Sequence, residues 1–227
     1  WNPETSWDKE GFHKKYTLSA FPDNYTNASK ALNTALSFMG GRYTKPNLCE
    51  VFFEYYTNSY LKKDTEYPQD YPAKQFRGIR DDEEKYLPYL QDVFDKATSV
   101  YKYLDENTTS YIGDIWKLIA LTYKVLADEF LTIYNCAKAY NEGSIDEAYF
   151  VSELHRLISE RDRVIKLCEN TRIPANQYTC IRDMTINRQF ISDLHDYMKT
   201  NITAGRKPEV DIFEFWKYLS DVSKFLR

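Results

Sequence analysis

An all-α fold is predicted by three observations on the 227-residue chain. Apolar residues recur at helical spacing over most of its length, no strand-like alternation persists anywhere, and punctuating residues are few, with only 7 Gly and 8 Pro beside 20 Tyr. The expected architecture is a multi-helix bundle of about seven or eight helices around two long central ones. A chain of this length buries a real core as one all-α domain over residues 1–227, with two helical lobes, about residues 1–105 and 106–227, as the other division.

The elements follow from the periods. A short helix is expected near Trp7 to Tyr16, and a second from Asn27 to Met39, closed by Gly40 and Gly41. Leu48, Val51, Phe52, Tyr55 and Leu61 mark a third face after Pro46. Tyr86, Leu90, Val93, Phe94, Ala97, Val100, Tyr101 and Leu104 mark a fourth, behind the acidic run Asp81 to Glu84 that suits a helix start. "YIGDIWKLIALTYKVLADEFLTIYNCAKAY" keeps its apolar period for about eight turns and is the expected central helix. After the break at "NEG", Ser144 and Glu147 have capping-box spacing, so a second long helix should run to about Glu169. Ile186 to Met198 and Val210 to Phe225 are the last two periodic stretches, separated by Gly205 and Pro208. The long stretch from Lys62 to Arg80 has no apolar period and is expected to be a loop.

Charge and hydropathy narrow the partners. A net charge of −4 with dispersed Lys and Arg argues against a nucleic-acid footprint. No apolar run reaches the roughly 18 residues of a membrane span, so no transmembrane segment is expected in this chain. The opening at Trp1 without methionine is expected of a processed or trimmed product.

Cys49, Cys136, Cys168 and Cys180 form an even set that permits three disulfide pairings or four reduced core thiols. Cys168 near the end of one long helix and Cys180 near the start of the next could meet through the loop at Pro174, which would leave Cys49 with Cys136. A zinc site at the cysteines lacks support, because no C-x2-C pair occurs and no His stands at ligand spacing beside either cysteine of the Cys168–Cys180 stretch. Asn24, Asn27, Asn107 and Asn201 open glycosylation triplets, against about two expected by chance, each in an expected loop or helix end. Triplets and paired cysteines together point to a secreted, extracellular protein.

Enzyme signatures are missing from the sequence. His13, His155 and His195 belong to no metalloprotease, nucleophile-elbow or phosphate-loop motif, so no catalytic, cofactor-binding or metal-binding residue is expected. Asp193, His195 and Asp196 in "SDLHDY" read as a solvated helix face, since residues two apart on a helix do not face each other. "SERDRV", Ser159 to Val164, reads as a charged surface between Ile158 and Val164. Trp116, Tyr123, Tyr134, Phe213 and Trp216 are core candidates that could also line a cavity. Tyr67, Tyr71 and Phe76, set among charges in the long loop, are the candidate partner-binding residues.

"LCENTRIPANQYTCIRDMT", together with "WNPE" at Trp1 to Glu4, is similar to stretches of the long D7 salivary proteins of mosquitoes. That resemblance implies an all-helical, odorant-binding-like, disulfide-linked salivary protein that scavenges host amines and lipid mediators during blood feeding. It implies a Cys168–Cys180 disulfide and carries over no ligand-binding residue. The C-x3-C and C-x8-C spacings of odorant-binding-like domains do not occur here, which favours a partner-binding surface over an enclosed pocket. The resulting expectation is a secreted non-enzymatic protein of arthropod saliva that engages a host or self macromolecule. The alternatives are a parasite surface helical-bundle receptor or immune-evasion protein, and a D7-like scavenger of small amines or lipids.

Overall fold

The computed structural model describes residues 9–21, 24–39, 83–171 and 177–212. Six helices follow one another among them: α1 Lys9–Ala20, α2 Tyr25–Met39, α3 Glu83–Asn107, α4 Tyr111–Asn141, α5 Glu147–Asn170 and α6 Gln177–Thr203. The described residues contain no strand, as the all-α reading expects. Six described helices are somewhat fewer than the seven or eight expected. The expected helix over Leu48 to Leu61 lies outside the described residues, as does most of that over Val210 to Phe225, of which Val210 and Asp211 are non-helical.

Packing follows chain order. α3 lies along α4, α5 lies along α6, and α4 against α5 joins the two pairs, while α2 packs on α3 and α1 on α2. The main core draws Leu32 and Phe38 from α2, Leu90 and Val100 from α3, Phe130 and Ile133 from α4, Phe150 and Leu157 from α5, and Phe190 and Met198 from α6. A smaller cluster holds Leu121, Val125, Val164, Cys168 and Met184. Among the described residues no helix is long and apolar enough to cross a membrane.

Helix ends explain the boundaries. Glu83 and Glu84 occupy the first turn of α3, where carboxylates oppose the positive end of the helix dipole. Ser110 caps α4, its side chain accepting from the Gly113 amide at 3.1 Å. At the other end Gly143 takes φ +75°. Its amide donates to the Tyr140 carbonyl while the Ser144 amide donates back to Ala139, the paired bonds of a Schellman turn. Ser144 is therefore spent in closing α4, and the expected capping box does not form. Asp146 caps α5 instead, accepting from the Tyr149 amide at 2.8 Å. Gly205, φ +67°, closes α6 in the same manner, with its amide donating to Ile202 and the Arg206 amide to Asn201.

One charged stretch turns inward. Phe150, Leu154, Leu157, Arg161, Val164 and Cys168 form the buried stripe of α5, so Arg161 occupies a core position. Its guanidinium grips the Glu129 carboxylate of α4 through Nε–Oε1 at 2.8 Å and through Nη2–Oε2, and neither side chain is exposed. "SERDRV" departs from its surface reading at Arg161: Ser159, Asp162 and Arg163 are exposed, whereas the stripe's spacing of three and four residues carries Arg161 into the interior, where a carboxylate from the facing helix pairs with it. Nearer the surface of the same seam, Arg156 binds Asp128 with both terminal nitrogens and Glu153 with Nε.

Candidate functional site

Beyond α6 the chain crosses the end of α4 as an extended strap, and this crossing builds the candidate site. Pro208, Val210 and Ile212 are buried under it while Lys207, Glu209 and Asp211 are exposed, so alternate residues anchor and face outward. Three consecutive strap carbonyls are taken by side chains. Tyr140 Oη lies 3.0 Å from the Pro208 oxygen and 3.3 Å from Glu147 Oε1, serving one acceptor at a time with its single proton. Tyr197 donates to the Glu209 carbonyl at 2.9 Å, and Asn141 Nδ2 donates to the Val210 carbonyl at 2.9 Å.

Held this way, the strap separates two clefts. One, of about 450 Å³, is lined by Tyr140, Tyr197, Lys207, Glu209 and Asp211. The other, of about 430 Å³, is lined by Glu83, Tyr134, Lys138, Glu142 and Asp211. Asn141, Val210 and Asp211 line both. Each cleft carries an ammonium over a tyrosine ring: Lys207 Nζ is 5.3 Å from the Tyr140 centroid, and Lys138 Nζ is 5.9 Å from that of Tyr134.

Electrostatics set the resting states. The hydrogen bond from Lys138 to Glu83, 2.9 Å long, holds the Glu83 carboxyl below its usual range and raises the Lys138 ammonium in turn. Burial first, and then the Glu147 carboxylate, push the Tyr140 hydroxyl up to about 12. Burial and Glu83 push Tyr134 up as well. Both phenols therefore stay protonated at neutral pH, so Tyr134 and Tyr140 present hydroxyls beside the Lys138–Glu83 ion pair and Lys207. Such groups can recognise a ligand by hydrogen bonds and ion pairs.

The structure distributes the expected site residues unevenly. Tyr67, Tyr71, Phe76, Phe213, Trp216 and Cys49 lie outside the described residues, and so does the side chain of Cys180. Among the described residues no disulfide forms. Cys168 is fully buried, and Cys136 is a buried free thiol pushed up to about 11 by burial and by Glu153. Trp116 is half-buried and not part of the sealed core: its indole N–H donates to Tyr16 Oη of α1 at 3.0 Å. Tyr123 is half-buried with its ring 5.3 Å from Phe38, and Tyr134 lines a cleft.

The glycosylation candidates differ in access. Asn27 and Asn107 are exposed, whereas Asn24 and Asn201 are half-buried. Asn201 is engaged on both sides, donating to the Tyr197 carbonyl at 2.9 Å and accepting from Arg206 Nε at 3.0 Å.

"SDLHDY" departs from its sequence reading. Asp193 is buried and accepts from Gln189 at 2.8 Å, while His195 Nδ1 lies 3.0 Å from Asp196 Oδ1. Only Asp196 of these three is exposed, because the packing of α5 on α6 covers the rest of the face. Sequence reasoning missed Tyr140, Asn141 and Tyr197 as a set, since nothing local links residues separated by more than fifty positions. Among the described residues no group of three or more His, Cys, Asp or Glu is placed to hold a metal. Comparison with protein-family models, curated proteins and solved structures returns no match for this chain.

Proposed function

We propose that the chain is a secreted, non-enzymatic binding protein of arthropod saliva that engages a host or self macromolecule. The observation that carries this reading is the pair of open clefts astride the 208–211 strap, where tyrosines lie beneath ammoniums and beside carboxylates. Tyrosine beside a charged rim is the composition of protein-recognition surfaces, whereas a scavenger of small apolar mediators requires an enclosed, mostly apolar cavity. The exposed acceptors Asn27 and Asn107 support the secreted part of the reading.

The test uses the glycosylated, secreted chain and two variants, the double Lys138→Ala/Lys207→Ala and the triple Tyr67→Ser/Tyr71→Ser/Phe76→Ser. Each is immobilised and exposed to host plasma, while binding of biogenic amines and fatty-acid mediators is measured by calorimetry. The expected result is a saturable protein partner retained by the parent and lost by at least one variant. Tight amine or lipid binding without protein capture would replace this reading with a D7-like scavenger.

A further inference from the structure

We propose that His155 and His195 form a two-histidine site for a divalent transition ion of the Zn²⁺ or Cu²⁺ kind, bridging α5 and α6. The two imidazoles come from facing helices and lie with ring centroids 6.2 Å apart, tilted by 40°. His155 is exposed, so the site opens to solvent, while the His195 side chain is only 14% exposed. His195 Nδ1 lies 3.0 Å from Asp196 Oδ1. An ionised carboxylate only accepts, so Nδ1 carries the proton and Nε2 keeps its lone pair. A carboxylate behind the far ring nitrogen is the usual support of a metal-ligating histidine, since it fixes the tautomer and makes the ligating nitrogen more basic.

Two imidazoles sharing one tetrahedral ion at nitrogen distances of about 2.0–2.1 Å have centroids about 5 Å apart, so the observed 6.2 Å separation is about 1 Å longer than a shared ion requires. With two protein ligands, the remaining coordination positions belong to water. Imidazole ligation favours copper, zinc and nickel over magnesium and calcium, and Cu²⁺ binds tightest among the divalent ions. Because the ligands meet only when α5 and α6 are packed, the ion binds the folded chain and stabilises it by mass action.

The experiment titrates the full chain with ZnCl2 and CuCl2 by calorimetry at pH 7.5 and records thermal unfolding with ZnCl2 or MgCl2 present. The expected result is one saturable equivalent and a melting temperature raised by Zn²⁺ but not by Mg²⁺. His155→Gln and His195→Gln should each weaken binding at least tenfold while melting like the parent without metal, and Asp196→Asn should weaken it about tenfold or more. Absence of saturable binding overturns the proposal. So does binding that survives both histidine variants, or that is lost on His13→Gln instead.

Discussion

Arg161 of α5 and Glu129 of α4 face each other in the interior, both fully buried, with the guanidinium bound to the two carboxylate oxygens. Arg161 Nη1 has no hydrogen-bond partner, so one donor nitrogen of the pair is left unmet. Burial raises the Glu129 carboxyl, and Arg161 opposes that rise. Losing one partner leaves an uncompensated buried charge. Arg161→Met should therefore cost about 3–5 kcal/mol, whereas Arg161→Met with Glu129→Leu should recover most of that loss. Denaturant midpoints of the parent, the two single variants and the double variant check the expectation.

Gly113 marks the close approach of the α3–α4 turn to α4. A Cβ there would stand 2.1 Å from Thr108 Oγ1, and that hydroxyl is itself engaged by the Ser110 amide at 3.3 Å. Gly113→Ala should destabilise by about 1–3 kcal/mol through overpacking. Adding Thr108→Ala should return part of that loss, and the comparison of melting temperatures shows whether it does.

Trp116 ties α4 to α1 through a single indole hydrogen bond to Tyr16. Trp116→Phe keeps much of the apolar contact and removes the donor, so it should cost about 1–2 kcal/mol, less than the 3–5 kcal/mol of a large core aromatic cut to alanine. Amide exchange in α1 should quicken in the variant, since the bond joins helices 100 residues apart in the chain.

Cys136 supplies a pH dependence with a definite sign. Its folded value of about 11 lies above the ordinary 9.0, because burial and Glu153 disfavour the thiolate. Between those values the unfolded chain sheds the proton and the folded chain keeps it. The contribution is thus fully present below about pH 9 and lost as pH rises through about 11. Cys136→Ala should flatten the stability profile in that window. At pH 8 without reductant, iodoacetamide should label Cys136 in denatured but not native protein. Failure to label in the denatured chain would show that Cys136 is held in a disulfide, and non-reducing peptide mapping would identify its partner.

The sequence by itself determined the helices. Periodicity placed α2, α3, α4 and α5 within a few residues of their observed ends, because the apolar stripe, the acidic first turn of α3 and the positive-φ glycines 143 and 205 act within a few turns of chain. It also contained the clue to Arg161, which keeps the stripe's spacing, although a charged residue type reads as surface until a partner is known. Which charge would be buried was decided by the facing helix, since Glu129 becomes a partner only when α4 packs on α5. The clefts arose in the same way. Tyr140, Asn141 and Tyr197 sit on two helices, and the 208–210 carbonyls they hold come from a strap after the second. Local propensity carries no information about such a meeting. Only packing of the long-range core brings those donors and acceptors to about 3 Å, and at the buried Tyr140–Pro208 bond an unpaired carbonyl would cost more than the bond itself contributes.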